Sequence, residues 1–361
     1  MRGLTRAVSL RCMRSELAAI AAQQGGVFTR AQAMDAGYRA PQLRGLTAVG
    51  GAWVVVRRGV YADRAMWEAL PRFTGPSLTR AWAAHLMIRV DHLMSHDSAA
   101  YAWGLPVVLA GDELVHITRP GVWGSRTEHG VKHHLAMDFP EGQVAAGLPV
   151  TSLARTAMDL AREHGAIAGA AAADRAMRWG VIPDDFGDVL AVMKSWPGVT
   201  QARKAADCAD PGADTPGETL MRMMLLELGI GRPTSQFPVP TSKGTVWCDL
   251  LVGRHVFEFD GRRKYQRAVD GGDAVDLPEE VLWAEKVRER EVAAHGLGIS
   301  RVIWDDCVGR TRARTMTRLR EEYDGTVRRF GTALPPDLAD FAVRMADVRR
   351  RRIQTISPYA A

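Results

Sequence analysis

The segment His255-Val256-Phe257-Glu258-Phe259-Asp260-Gly261 constrains the fold more than any other stretch of the chain. Alternate residues of a strand face opposite ways, so His255, Phe257 and Phe259 share one side and Val256, Glu258 and Asp260 the other. The first side reads as aromatic core, and the second sets two carboxylates beside it. A tight Gly253-Arg254 turn joins this strand to Val246–Val252, which carries Asp249. Carboxylates taken out of water need a cation or a hydrogen-bonding partner. Two solutions fit. One is a hard divalent ion, Mg2+ or Mn2+, held by Asp249 and Glu258 with water and phosphate oxygens, which would serve phosphodiester hydrolysis. The other is an ion-pair network with Arg254, Arg262 or Arg263.

Around this pair the pattern is that of an α/β unit on one mixed sheet. Pro216 opens an apolar helix that ends at Gly229. Strands are expected at Phe237–Val239, Val246–Val252, His255–Phe259 and Ile299–Trp304, with helices at Glu279–His295 and Thr311–Tyr323. A basic helix over Asp337–Arg352 closes the chain. The turn-rich stretch Asp207–Pro216 is the natural boundary before this unit.

The first 65 residues read differently. Helices are expected at Ser15–Gln24, Arg30–Ala36 and near Ala40–Thr47, with stops at Gly25-Gly26 and Gly37. Trp53–Val56 and Val60-Tyr61, joined through Arg57-Arg58-Gly59, form a hairpin. Three helices and a basic hairpin follow the winged helix-turn-helix plan. In that plan Arg39, Gln42 and Arg44 face double-stranded DNA, and Arg57 and Arg58 reach its backbone from the wing.

Between these parts lies an α+β stretch with strands near Leu114–Thr118 and Gly130–His134 and helices at Leu153–His164, Ala166–Trp179 and Phe186–Met193. It shows no nucleophile triad or phosphate loop. Neighbouring His133 and His134 point to opposite faces of a strand, so His129, His133 and His134 read as surface histidines.

Charge distribution favours a polyanionic partner, DNA or RNA. Residues 1–70 hold ten arginines against four acidic residues, and residues 301–361 hold thirteen against eight. The four cysteines lie far apart without a C-x-x-C pair, which argues against a disulfide framework and suits a reducing cytoplasm. No apolar run is long enough for a membrane span, and no apolar segment of a secretory leader follows the N-terminal arginines.

Two resemblances add to this reading. Thr215-Pro216-Gly217-Glu218, Gln236-Phe237, Cys248-Asp249-Leu250, Phe257-Glu258-Phe259-Asp260-Gly261, Lys286 to Glu289 and Arg301-Val302-Ile303 follow one another in a familiar order. Over about residues 214–305 the chain resembles a bacterial domain related to the very-short-patch-repair endonucleases, within the PD-(D/E)XK nuclease fold. The resemblance implies Asp249 and Glu258 as metal ligands and Glu218 as an accessory acid. Asp260 stands where the general nuclease pattern has lysine, so Lys264 or Lys286 would supply the positive charge.

Gly25-Gly26-Val27-Phe28-Thr29-Arg30-Ala31-Gln32-Ala33 with Arg57-Arg58-Gly59-Val60-Tyr61-Ala62 is similar to the winged-helix domain of abortive-infection type IV antitoxins, the AbiEi family. Ser95-His96-Asp97-Ser98-Ala99-Ala100 and Gly147-Leu148-Pro149-Val150-Thr151-Ser152, leading to Arg155-Thr156, resemble sequences that follow that domain. This implies promoter binding and autoregulation opposite a cognate toxin. The expected architecture is therefore a multidomain α/β protein: a winged helix-turn-helix at 1–65, an α+β region at 66–210, a restriction-endonuclease-like domain at 211–325 and a basic helix at 326–361. The function expected is metal-dependent DNA cleavage, with a non-catalytic repressor as the alternative.

Overall fold

The computed structural model describes residues 13–108, 113–121, 124–136, 139–260 and 278–354. Among them the chain is a mixed α/β protein of sixteen helices and three sheets. None of these helices is long and apolar enough to cross a membrane.

Local signals shape the N-terminal part. α1 (Ser15–Gln23) stops before Gly25 and Gly26, both at positive φ. β1 (Val27–Thr29) adds a strand to the expected plan. Thr29 then caps α2 (Arg30–Asp35): its hydroxyl accepts from the Gln32 N–H at 3.2 Å, and its own N–H donates to Gln32 Oε1 at 2.8 Å. α3 (Ala40–Leu46), β2 (Trp53–Arg57) and β3 (Val60–Asp63) follow, and the strands pair antiparallel in the order β1-β3-β2. Leu17, Phe28, Leu43, Trp53 and Tyr61 fill the space between helices and sheet. Val27, Val60 and Ala62 face the other way and join the core of the next region.

That region holds α4 (Arg64–Glu68), α5 (Gly75–His85), β4 (Leu93–Met94), α6 (His96–Trp103), β5 (Val115–Pro120), β6 (Gly124–Glu128), β7 (Val131–Ala136), β8 (Gln143–Ala145) and β9 (Leu148–Val150). Helices α7 (Leu153–His164), α8 (Ala166–Arg178), α9 (Pro183–Val192) and α10 (Val199–Cys208) pack beside them. The six strands run in the order β6-β7-β5-β4-β9-β8. The alanine run of α8 lets it lie close against α7: a Cβ on Gly169 would sit 2.2 Å from Ala161 Cβ.

The stretch Asp207–Pro216 does carry the chain into the last sheet, but it is pinned. Asp210 accepts from the Gly212 N–H at 2.8 Å and from Ser235 Oγ at 2.7 Å. Beside it, buried Arg222 donates to both oxygens of Asp174 at 2.9 and 2.8 Å.

The C-terminal part comprises α11 (Pro216–Leu228), β10 (Thr234–Thr241), β11 (Gly244–Val252), β12 (His255–Phe259), α12 (Pro278–Ala294), β13 (Gly298–Val302), α13 (Trp304–Cys307), α14 (Arg312–Phe330), α15 (Pro336–Arg344) and α16 (Ala346–Ile353). Its sheet runs β10-β11-β12-β13, antiparallel except for the parallel pair β12–β13, which α12 connects.

Three expectations change here. The Val256 face of β12 is not a polar face: Val256 is buried with Cys248, Leu251, Val292 and Leu338, while Phe257 packs with Leu220, Leu250 and Leu319 on the other side. Both faces are core, and Glu258 reaches polar surroundings because it sits near the strand's end. The helix expected over 337–352 breaks at Met345, and α16 turns back: Arg349 Nε donates to the Ser235 carbonyl at 2.8 Å and Arg352 Nε to Gln236 Oε1 at 3.1 Å. Finally, α14 runs unbroken past residue 325.

Candidate functional site

The carboxylates converge on a cleft of about 890 Å3 at the end of the C-terminal sheet. Glu218 enters from the first turn of α11. Thr215 caps that helix, its hydroxyl accepting from the Glu218 N–H at 3.3 Å and donating to Glu218 Oε1 at 3.0 Å. The Asp214 N–H donates to Glu218 Oε2 at 2.8 Å. Gly217 beside it is the only residue type that fits, because a Cβ would lie 2.1 Å from the Phe259 ring.

Asp249 comes from β11 and Glu258 from β12. The regular β11–β12 ladder stops at Leu250–Phe257, and beyond it the Phe259 N–H donates to Asp249 Oδ2 at 2.8 Å. On the other side of β11, Gln236 of β10 interrupts the ladder between Ser235 and Phe237. Its φ of 51° puts a side chain in the left-handed region, at a cost of about 1–3 kcal/mol. Strain held next to Asp249 is a mark of a site that the surrounding fold over-determines.

The electrostatics are crowded. Glu218 is 5% exposed, and burial followed by the charge of Asp249 pushes its pKa up to about 8 against the pull of its hydrogen bonds. Glu258 is also raised, by burial first, with Arg288 acting against this and Asp249 adding to it. Arg288 of α12 donates to Glu258 Oε1 at 2.6 Å. Arg301, opposite Glu258 in the β12–β13 register, reaches Glu285 at 2.7 Å. Trp247, Trp304, Arg352, Val107 and Val108 complete the walls.

Asp249, Glu258 and Glu218 thus share one cleft. Asp260 does not line it; this residue lies just past β12, its N–H donating to the Val302 carbonyl at 2.8 Å. Lys264 lies outside the described residues, as do Arg262 and Arg263, and Lys286 is exposed on α12 away from the cleft. Arg254 caps carbonyls of His295, Gly296 and Phe330 rather than an acid. Among the described residues the cleft is lined by Arg288 and Arg352, and Arg288, the partner of Glu258, is missed by reasoning from the residues alone. The signal for it is the helix period: Val292 is buried against the sheet, and Arg288 lies four residues earlier on the same face, whereas Lys286 does not.

The donor set is all carboxylate oxygen, which is the chemistry Mg2+ or Mn2+ takes, and one or two such ligands plus water make an ordinary Mg2+ site. The residues fit such an ion in kind. They do not form a closed three-ligand cage: among the described residues, the group of three whose ligand atoms lie within 4.8 Å of one another is His96, His116 and His134.

At the other end of the chain, Arg39, Gln42, Arg44 and Arg58 are exposed. Gln42 is committed in part, since its Oε1 accepts from the Arg39 N–H at 2.8 Å and caps α3. Arg57 sits at the end of β2, beside the hairpin turn. It is half-buried, and its charge contributes, after burial and Arg119 and Arg126, to holding His133 of β7 below its ordinary pKa. β2 packs against α5 of the middle region, and Arg58 at the Gly59 turn is exposed. No protein-family model matches this chain, and no curated protein matches it.

Proposed function

We propose that the chain binds double-stranded DNA through its N-terminal helices and hairpin and hydrolyses phosphodiester bonds in the C-terminal cleft with a divalent cation. The observation that carries this reading is the convergence of Glu218, Asp249 and Glu258 on one cleft, where the charge of Asp249 opposes ionisation of Glu218. Such crowding is costly unless a cation or a proton relieves it, and active sites are where it recurs. Asp249 and Glu258 would hold Mg2+ or Mn2+, which when bound supplies charge stabilisation to a phosphodiester under attack. Glu218, largely protonated at neutral pH, can give a proton to a departing oxygen. Arg288 provides the positive charge that the Glu-x-Asp strand end lacks. Three helices with an antiparallel three-stranded sheet support the winged-helix reading of the N-terminal part, and the helix–sheet–helix order beyond Pro216 supports the nuclease-like one.

Incubation with supercoiled and linear DNA in Mn2+ tests the chemistry. Cleavage is expected, and Asp249→Asn should reduce it by at least about 100-fold. Cleavage that persists unchanged in that variant overturns the ligand assignment. One observation favours a second reading: the 2.6 Å Arg288–Glu258 pair satisfies Glu258 without a metal. In that reading the chain is an antitoxin-like repressor with a cognate toxin, and footprinting upstream of its own gene shows a protected site with no cleavage.

For the DNA interface, Arg58→Ala should weaken binding to all sequences and flatten the salt dependence of log K by about 0.9 for each phosphate no longer neutralised. Arg57→Ala should change the slope much less, since its side chain is half-buried. Equal slopes for wild type and Arg58→Ala would show that the hairpin does not touch the backbone.

A further inference from the structure

Three imidazoles from separate elements meet in the middle region: His96 from the first turn of α6, His116 from β5 and His134 from β7. One ring nitrogen of each lies within 4.8 Å of the other two. His116 Nδ1 and His134 Nε2 are 3.1 Å apart, and the His96 ring stacks on that of His134 at 3.7 Å. We propose that this cluster is a transition-metal site of the zinc class, with three imidazole ligands and a fourth position open to a neighbouring cleft.

Donor chemistry separates this site from the carboxylate cleft, because neutral imidazole suits Zn2+ or Co2+ and not Mg2+. The spacing is close to what is needed. Metal–nitrogen bonds of about 2.0–2.1 Å in a tetrahedral site place ligand atoms roughly 3.3–3.4 Å apart, so the 3.1 Å pair needs only a small opening. At present one of these two rings donates a proton to the other. A cation between them requires a change of tautomer rather than loss of a proton. Burial, then the His116 imidazole and the positive charges of Lys132, Arg162 and Arg155, push the pKa of His134 down to about 2. Its ring is neutral at physiological pH, with a lone pair to offer.

The surroundings give the site a way in and a fixed frame. His116 is fully buried at the back. His96 and His134 line a cleft of about 370 Å3 together with Lys132, Arg155, Arg162 and Trp196. His96 Nδ1 is fixed at 3.0 Å from Ser95 Oγ, and its Nε2 lies 3.9 Å from Asp159 Oδ1. Buried Asp159 is itself held by Arg155 at 2.8 Å and Arg162 at 2.9 Å, and both guanidiniums lie over the Trp196 ring, at 4.7 and 4.8 Å from its centre. Lys132 pairs with Glu163. Two acids thus offset three bases around the imidazoles, and the remaining positive charge suits an anion, such as phosphate, as the exogenous fourth ligand. His96 also adopts a φ of 49°, a left-handed backbone that a non-glycine residue seldom takes.

The test uses untagged full-length protein, freed of metal and titrated with Co2+. One equivalent per chain is expected to give the visible bands of a nitrogen-ligated four-coordinate ion. Zn2+ should displace them and inorganic phosphate should shift them. His134→Ala and the milder His134→Gln should each lose the bands and at least about tenfold in affinity, while Asp249→Asn keeps both. Absence of bands in the wild type overturns the proposal. So does a Co2+ spectrum that survives in folded His134→Gln.

Discussion

Glu218→Gln is expected to stabilise the protein at pH 8.5 and to leave its stability nearly unchanged at pH 4. In the folded chain the pKa of Glu218 is raised from 4.5 to about 8, by burial first and then by Asp249. A raised folded-state pKa means that the contribution to stability is complete below the unfolded value and is lost as pH rises towards 8. The full loss is a few kcal/mol, at most about 5. Glutamine removes it, since an uncharged amide can still accept from the Asp214 N–H and bond to Thr215. Thermal unfolding at the two pH values checks this. A wild type with no excess loss of stability between pH 5 and 8, and a variant that matches it throughout, would show that the acid is not strained.

The largest loss of stability is expected from Arg222→Met. Arg222 and Asp174 are each 2% exposed, and the pair ties α8 to α11. Removing the guanidinium strands a buried carboxylate, with only the Asp210 N–H at 2.7 Å and the Thr219 hydroxyl at 2.6 Å to hold it. The cost is about 3–5 kcal/mol. Burial already outweighs Arg222 and lifts the Asp174 pKa to about 6. Without the arginine the carboxyl should take up its proton at higher pH still, so the deficit shrinks as the solution is acidified. Adding Asp174→Asn should recover much of the loss. Urea unfolding of the single and double variants measures both effects. A deficit under about 1 kcal/mol, the range of an exposed pair, would mean that the two regions are not joined in this way.

Much of the fold is legible in the residues because its signals are local. Glycine stops, the Thr29 cap and the Gly253 turn act within a few residues, so the first three helices, the hairpin and the β11–β12 pair lie close to where the residues alone put them. Bringing Asp249 and Glu258 to one cleft also follows from that tight turn. What escapes is non-local. Whether the Val256 face of β12 is wet depends on α12 and α15, dozens of residues downstream, and they bury it. The charge partner of Glu258 is Arg288, chosen by the phase of a helix against the sheet rather than by distance from the strand. His134 reads as a surface residue on alternation alone. It is drawn into a cluster only because β5 and β7 pair in parallel, which sets His116 and Lys132 opposite each other with His134 two residues on, and because α6 delivers His96 above them. Gln236 gives no sign of its left-handed backbone.

Calorimetric titration of the metal-free protein with Mn2+ at pH 7.5 tests the carboxylate cleft most directly. One ion per chain is expected, with binding lost in Asp249→Asn but retained in His134→Gln. No binding, or binding that Asp249→Asn leaves intact, would contradict a cation site built on Asp249 and Glu258 and leave Arg288 as the partner that satisfies the cleft.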